Sequence, residues 1–201
     1  MNNQRSCKIS YNTPTVNDRA ETKHQSKNAY MFLSMTGVGT ETESIPVDSS
    51  FPSTSILTFS NSSTNISNSK RIDFINVDTN GNKVNTGGST RFVLNGTGQY
   101  QLSLYMTSVA NVTGAVTAVI QMIDNVNNDG TGGTAGNVLG IIRSYENNTP
   151  LMLGGSCIFN VDSSVVAIQI VLLNANTNAI TIYKDINSPL GKPTVGILKL
   201  N

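Results

Sequence analysis

From residue 30 onward, the chain is a succession of short runs in which apolar and polar residues alternate. The clearest run has its apolar residues at Tyr100, Leu102, Leu104 and Met106. Side chains two residues apart share one face of a β-strand, so this period predicts half-buried strands, with Tyr100 packed inside the protein. No window combines a helical period with capping residues at its ends. The pattern therefore predicts an antiparallel β-sandwich or barrel.

The predicted strands lie between turn residues, chiefly Asn, Gly, Ser and Pro. They are residues 30–33, 55–59, 72–77, 92–94, 99–106, 116–122, 138–143, 157–161, 165–173, 179–183 and 194–200. Asn80 and Gly81 form an Asn-Gly pair, which favours the positive φ angles of a type I′ hairpin turn. The polar segments 60–69 and 124–133 are predicted to be loops.

The run 165–173 differs from the others because it is apolar on both faces. One face carries Val165, Ala167, Gln169, Val171 and Leu173. A lone sandwich has a single interior, so a strand of this kind needs a cover on its second face. A loop, the N-terminal segment or another subunit could supply that cover, and the pattern alone leaves the three open. Gln169 lies within the apolar face and needs a hydrogen-bond partner there.

Residues 1–29 lack hydrophobic periodicity and are predicted to form a flexible arm, ahead of a folded domain at 30–201. Residues 1–30 carry five basic and two acidic side chains, whereas residues 31–201 carry eight basic and ten acidic ones. A basic arm can contact an acidic neighbouring subunit, although a solvated terminus is the simpler interpretation. Its cations are too sparse to predict nucleic-acid binding. No apolar stretch has the length of a signal peptide core or a membrane span, so we expect synthesis in the cytoplasm and no membrane contact.

Catalytic and metal-binding side chains are scarce. His24 is the sole histidine and lies in the arm, while Cys7 and Cys157 are far apart in sequence. These residues cannot supply a Ser-His-Asp or Cys-His arrangement on a rigid scaffold, nor a zinc site. Ser156 lacks the second glycine of a nucleophile elbow. We therefore predict no enzyme activity, no cofactor and no metal ion.

Two chemical alternatives stay open at this stage. The acidic residues Asp73, Asp124, Asp129 and Glu146 could in principle include a carboxylate pair for glycoside hydrolysis. The segment 124–133 offers the oxygen ligands that Ca²⁺ prefers, without the spacing of an EF-hand loop. A cluster of Asn, Asp and Gly between two strands is more often an ordinary turn.

Three segments, in chain order, resemble the tumour necrosis factor and complement globular-head superfamily. Residues 91–102 are similar to its apolar strand, turn and Gly-x-Tyr element, here Gly98 and Tyr100. Residues 157–173 resemble its late pair of strands joined by a polar turn, and 194–200 resemble its terminal strand. The resemblance implies an antiparallel jelly-roll sandwich over residues 30–201. The chain departs from the family in having no Trp and few aromatic residues.

The resemblance also implies a homo-oligomer, with a trimer favoured over a pentamer, because family members pack around a threefold axis. It identifies a neighbouring subunit as the cover of the run 165–173. We therefore predict an oligomer interface at Val165, Ala167, Gln169, Val171 and Leu173, with Gln169 bonded to its own symmetry copies. In this interpretation Val171→Asp breaks the oligomer by desolvating a carboxylate.

Two functions fit these observations. The first is a virion structural protein (a capsid, penton or spike jelly-roll) whose arm contacts other capsid proteins. Only 12% of the residues are charged and the net charge is +1, so electrostatic repulsion between copies is weak. The alternative is a non-enzymatic head of a surface filament or spike that attaches to a host receptor or glycan through loops 60–69 and 124–137.

Overall fold

The structure is a computed structural model that describes residues 29–35, 42–51, 56–59, 62–66, 70–85, 88–111, 114–144, 150–183 and 193–201. The predicted arm, with Cys7 and His24, lies outside these residues except for Ala29, which is buried in the core. The proposed boundary between arm and domain therefore stays a prediction.

The described residues form thirteen β-strands and no helix. Their bounds are β1 Tyr30–Met35, β2 Thr42–Ile45, β3 Ser62–Ile66, β4 Ile72–Val77, β5 Lys83–Val84, β6 Ser89–Asn95, β7 Gly98–Asn111, β8 Val116–Val126, β9 Gly132–Arg143, β10 Pro150–Val161, β11 Val165–Asn174, β12 Ile180–Tyr183 and β13 Thr194–Lys199. No helix in this part of the chain is long and apolar enough to cross a bilayer.

The strands build two antiparallel sheets. The first sheet has the order β2-β12-β7-β13-β1-β3, and β10 pairs with the second edge of β7. The second sheet has the order β5-β4-β6-β11-β8-β9. Strands distant in sequence are neighbours in both sheets, as in β6-β11-β8, which is the arrangement of a jelly-roll. The predicted all-β antiparallel jelly-roll is thus confirmed.

One hydrophobic core lies between the two sheets. Both sheets contribute alternate residues to it, because successive side chains of a strand point to opposite faces. The first sheet supplies Met31, Leu102 and Ile197, and the second supplies Phe92 and Ile168, all of them almost fully buried. The core therefore buries the inner face of each sheet, and the outer faces must be considered separately.

The structure corrects several sequence predictions. The run 55–59 is not a strand in its described part, where Ile56 makes a single bridge to Val171. Strand β3 lies inside the segment 60–69 that was predicted to be a loop, and it pairs with β1. Strands β8 and β9 extend far into the predicted loop 124–133 and leave only residues 127–131 between them. Polar strands such as β3 were missed because they lack apolar alternation.

The turn at Asn80 and Gly81 also differs from prediction. Only Gly81 has a positive φ, of 80°, so the turn is not type I′, which needs positive φ at both central residues. Gly81 N–H donates to Asp78 O, and Asp78 N–H donates to Asn82 O. This is a type I turn followed by a glycine bulge. The Asp78 carboxylate stabilises it by accepting the N–H groups of Asn80 and Asn82, which lowers its pKa.

Candidate functional site

The outward face of the first sheet exposes large apolar side chains. In β1, Met31 and Leu33 point into the core, whereas Tyr30 and Phe32 point outward and are 41% and 48% exposed. In β13, Leu198 is 36% exposed, and in β10, Ile158 is 56% exposed. Alternation along each strand places all four side chains on the same outward face of the sheet.

The strand register brings these residues together. Tyr30 lies opposite Leu198, and Leu198 lies opposite Gln101 of β7. Ile158 lies opposite Gln101 from the other side. One row across four strands therefore reads Ile158, Gln101, Leu198 and Tyr30, with three apolar side chains out of four. We call the surface formed by Tyr30, Phe32, Gln101, Ser103, Ile158, Gly196 and Leu198 the open face.

A shallow groove of about 350 Å³ crosses the open face. Its floor includes Gly196 and Ser103, which lie opposite each other in β13 and β7. Tyr30, Phe32 and Leu198 rise around this floor because their side chains are much larger. Exposed contiguous apolar surface of this kind is typical of a protein–protein contact.

The structure places the predicted interface residues on β11, in the middle of the second sheet. Ala167 and Val171 are fully buried within this single chain, and Gln169 is nearly so. Val165 and Leu173 are half-buried. Gln169 Nε2 donates to Gln121 Oε1 of β8 at 3.0 Å. Within the chain, Gln169 therefore already has the partner that was expected from symmetry copies.

The cover over part of this face is the tip of the β8–β9 hairpin, residues 127–131. Gly130 is buried against Val93 and Ile75, which form a small second core with Val77 and Val165. Arg91 of β6 holds the tip by donating from Nη1 to Gly130 O and Gly132 O. Burial lowers the pKa of Arg91, and its Nε is buried without a hydrogen-bond partner.

The β8–β9 hairpin also contacts the β4–β5 hairpin, through Gly132 at the start of β9. Gly132 N–H donates to Gly81 O at 2.9 Å, so the two hairpins meet above β6. An interface at Val165, Ala167, Gln169, Val171 and Leu173 stays a prediction. The family resemblance identified another subunit as the cover of β11, but the chain itself already covers Ala167, Gln169 and Val171.

Sequence analysis missed the open face although its signal was present. Tyr30, Met31, Phe32 and Leu33 are apolar at four consecutive positions. A half-buried strand alternates, so this run is apolar on both faces in the same way as residues 165–173. Sequence alone cannot say which of the two strands is covered by its own chain, because that depends on where a distant hairpin folds.

Tyr100 is confirmed as an interior residue. Its ring is fully buried and stacks on Phe159 with centroids 6.2 Å apart. Its hydroxyl donates to Gly96 O at 2.8 Å, across the turn that joins β6 to β7. Burial raises the pKa of Tyr100, and the charge of Arg71 acts in the opposite direction. Tyr100 therefore fixes this turn while it fills the core.

The structure describes the segment 124–133 and three of the four acidic residues considered for glycoside hydrolysis, Asp73, Asp124 and Asp129. The described residues contain no group of three metal-ligating side chains. The Asp129 carboxylate accepts bonds from Thr131 N and Oγ1 at 3.1 and 2.7 Å, which lowers its pKa and stabilises the hairpin turn. Cys157 is a free, half-buried thiol whose pKa is raised by burial. Glu146 lies outside the described residues.

No protein-family model and no curated protein matches the sequence. Similar solved structures include the Eiger TNF of S. frugiperda, with a TM-score of 0.46 and 11% identity over 86% of this chain and 92% of that one. Murine APRIL at pH 8.0 has a TM-score of 0.45 and 12% identity over 87% and 100%. The enzymatically active domain of bacteriophage CBA120 tailspike protein 4 has a TM-score of 0.28 and 15% identity, over 77% of this chain and 18% of that one. All three TM-scores are low, so the jelly-roll assignment rests on the strand order of this chain.

Proposed function

We propose that this protein is a non-enzymatic structural subunit of a virion that assembles into a symmetric homo-oligomer through the open face. The observation that carries the proposal is the contiguous exposure of Tyr30, Phe32, Ile158 and Leu198 on the outward face of the first sheet. A solvated sheet face normally presents polar side chains, and burying this one against a second copy removes it from water.

The geometry of the open face suits packing around a symmetry axis. Small residues such as Gly196 and Ser103 occupy its centre, and large apolar residues stand around them. Because these central side chains are small, the backbones of neighbouring copies can approach one another closely there. A trimer is favoured by the family resemblance, and a pentamer is the alternative. The symmetry of the complex then follows from repetition of one contact.

The virion setting is supported by the sequence. The chain carries a basic polar segment at residues 1–29, and its composition is weakly charged. In this proposal the segment contacts other capsid proteins, while the jelly-roll forms the shell or spike. Antibodies against the jelly-roll should label intact purified particles, and the protein should sediment with them. If the protein is absent from purified particles, the virion role is contradicted, whereas the proposed homo-oligomer is not.

The oligomer is tested by a matched pair of substitutions. Phe32 lies on the open face, whereas Phe51 lies outside both sheets and is exposed to a similar degree, 42%. Phe32→Glu places a charge in the contact and should reduce the molar mass measured by light scattering to that of a monomer. Phe51→Glu should keep the wild-type mass. A monomeric wild type at micromolar concentration, or equal masses for both variants and the wild type, would contradict the proposal.

A further inference from the structure

Two cationic side chains meet beside the turn that joins β6 to β7. Lys199 lies at the end of β13, and Arg71 directly precedes β4. A Cβ added to Gly96 would lie 2.7 Å from Arg71 Nη1 and 3.3 Å from Lys199 Nζ. The glycine, which has a φ of 108°, therefore lets both cations approach the same point of the backbone.

Neither cation has a carboxylate partner among the described residues. Lys199 is only 9% exposed, and its Nζ donates to Thr97 O at 2.7 Å and lies 5.2 Å from the centroid of the Tyr100 ring. Arg71 is exposed and makes one long bond, from Nη1 to Asn95 O at 3.5 Å. Burial and then the charge of Arg71 lower the pKa of Lys199.

The positions of the two cations favour an anion beside them. A buried ammonium loses hydration, and a second positive charge beside it adds repulsion. An oxyanion relieves both costs because it accepts hydrogen bonds from the planar guanidinium and the ammonium together. We propose that Arg71 and Lys199 bind a single carboxylate or sulfate group carried on an acidic saccharide.

The surroundings of the pair favour a saccharide over a nucleic acid. The nearby residues Thr97, Ser164 and Asn201 are exposed and belong to residue types whose hydroxyl and amide groups suit sugar hydroxyls, although Asn201 Oδ1 already accepts the Gln99 N–H. Ser164 borders the site because its carbonyl accepts the Gly96 N–H. Nucleic-acid binding uses a track of phosphate contacts, and single strands also stack on exposed aromatic rings. Tyr100, the aromatic residue beside this pair, is buried.

The site is distinct from the open face. Lys199 follows Leu198 in β13, so the two side chains point to opposite faces of the first sheet. Leu198 contributes to the open face, while Lys199 lies at the end of the core beside Tyr100. The two surfaces therefore lie on opposite faces of the first sheet, and the inference does not rest on the proposed function.

Nuclear magnetic resonance can test the site in the full-length protein. Sodium sulfate, a sulfated disaccharide and sialyllactose are titrated separately at constant ionic strength. We expect saturable shifts of the amides of Gly96, Thr97 and Gly98 for the saccharides. We also expect a rise in the pKa of Lys199, because a bound anion stabilises its charged form. Comparison of the sulfated disaccharide with sialyllactose shows whether the site prefers a sulfate or a carboxylate.

Arg71→Gln and Arg143→Gln form a matched pair, since both arginines are exposed and Arg143 lies on β9. Arg71→Gln should weaken saccharide binding about tenfold or more, as loss of a charged hydrogen bond does. It should also raise the pKa of Lys199 in the free protein. Arg143→Gln should change neither quantity.

Three results would overturn the inference. The first is that no saccharide binds saturably at constant ionic strength. The second is that Arg143→Gln weakens binding as much as Arg71→Gln, because binding would then follow net charge. The third is that sodium sulfate, or a short single-stranded oligonucleotide, binds as tightly as the saccharides, which would remove the claim of saccharide recognition.

Discussion

The outer faces of the two sheets share an apolar character and differ in what covers them. In the second sheet, β11 buries Ala167 and Val171 within the chain, and the β8–β9 tip closes over Val93. In the first sheet, Tyr30 and Phe32 stay exposed. A strand that is apolar on both faces therefore needs a second cover, but that cover can come from the same chain or from another molecule.

The largest effect should come from Val171→Asp. Val171 is fully buried, so the new carboxylate would lose its hydration without a partner. A pKa raised by about three units corresponds to about 4 kcal/mol of lost stability at neutral pH. The loss should grow as the pH rises above about 4, because an Asp with a raised pKa is protonated in both states at low pH.

Thermal and urea denaturation of Val171→Asp, followed by circular dichroism, distinguish the two interpretations of β11. If the chain covers this face, the variant unfolds or becomes much less stable. A variant that stays folded with wild-type stability but loses its oligomeric mass would restore the interface originally predicted at β11.

The cover itself can be tested by Gly130→Ala. Gly130 has a φ of 83°, and an added Cβ would collide with Val93. Backbone strain and displacement of the tip should together cost about 2 kcal/mol of the free energy of unfolding. Gly154→Ala is the matched control, because Gly154 lies on the outward face of β10, where a Cβ meets its nearest atom at 3.5 Å. Equal urea midpoints for the two variants would mean that the tip contributes no stability.

The buried amide pair should have a smaller effect. Gln169→Leu leaves Gln121 Oε1 without its donor in the covered face, while Gln121 Nε2 can still donate to Gly136 O. The loss should cost about 1.5 kcal/mol. Replacing both Gln121 and Gln169 with Leu should recover much of that loss, since no unpaired amide then remains. Urea denaturation of the two variants measures this difference. If the double variant is less stable than Gln169→Leu, the two glutamines stabilise the fold by more than their hydrogen bond to each other.

The sequence predicts the fold class well because alternation reports directly on burial. The runs at 72–77, 165–173 and 194–200 become strands at nearly the predicted bounds. It fails where polar strands pair at a sheet edge, as β3 does, because pairing there uses backbone groups that side-chain patterns do not encode. It also fails to identify the covered face, since Gly130 reaches Val93 across 37 residues of sequence.

The smallest effect on folding should come from the open face. Ile158 is 56% exposed, so Ile158→Ser removes little buried surface from the monomer. The free energy of unfolding measured at low protein concentration should change by less than about 0.5 kcal/mol. The same substitution should weaken association, because Ile158 belongs to the apolar row that a second copy would bury.

Val47→Ser is the matched control for this test, because Val47 is 52% exposed and lies outside the strands. Dissociation is measured from the concentration dependence of the molar mass. Ile158→Ser should shift dissociation to higher concentration while Val47→Ser should not. Ile158→Ser could instead destabilise the monomer and leave association unchanged. The open face would then stabilise the monomer and not an oligomer, and the outer faces of the two sheets would not differ in what covers them.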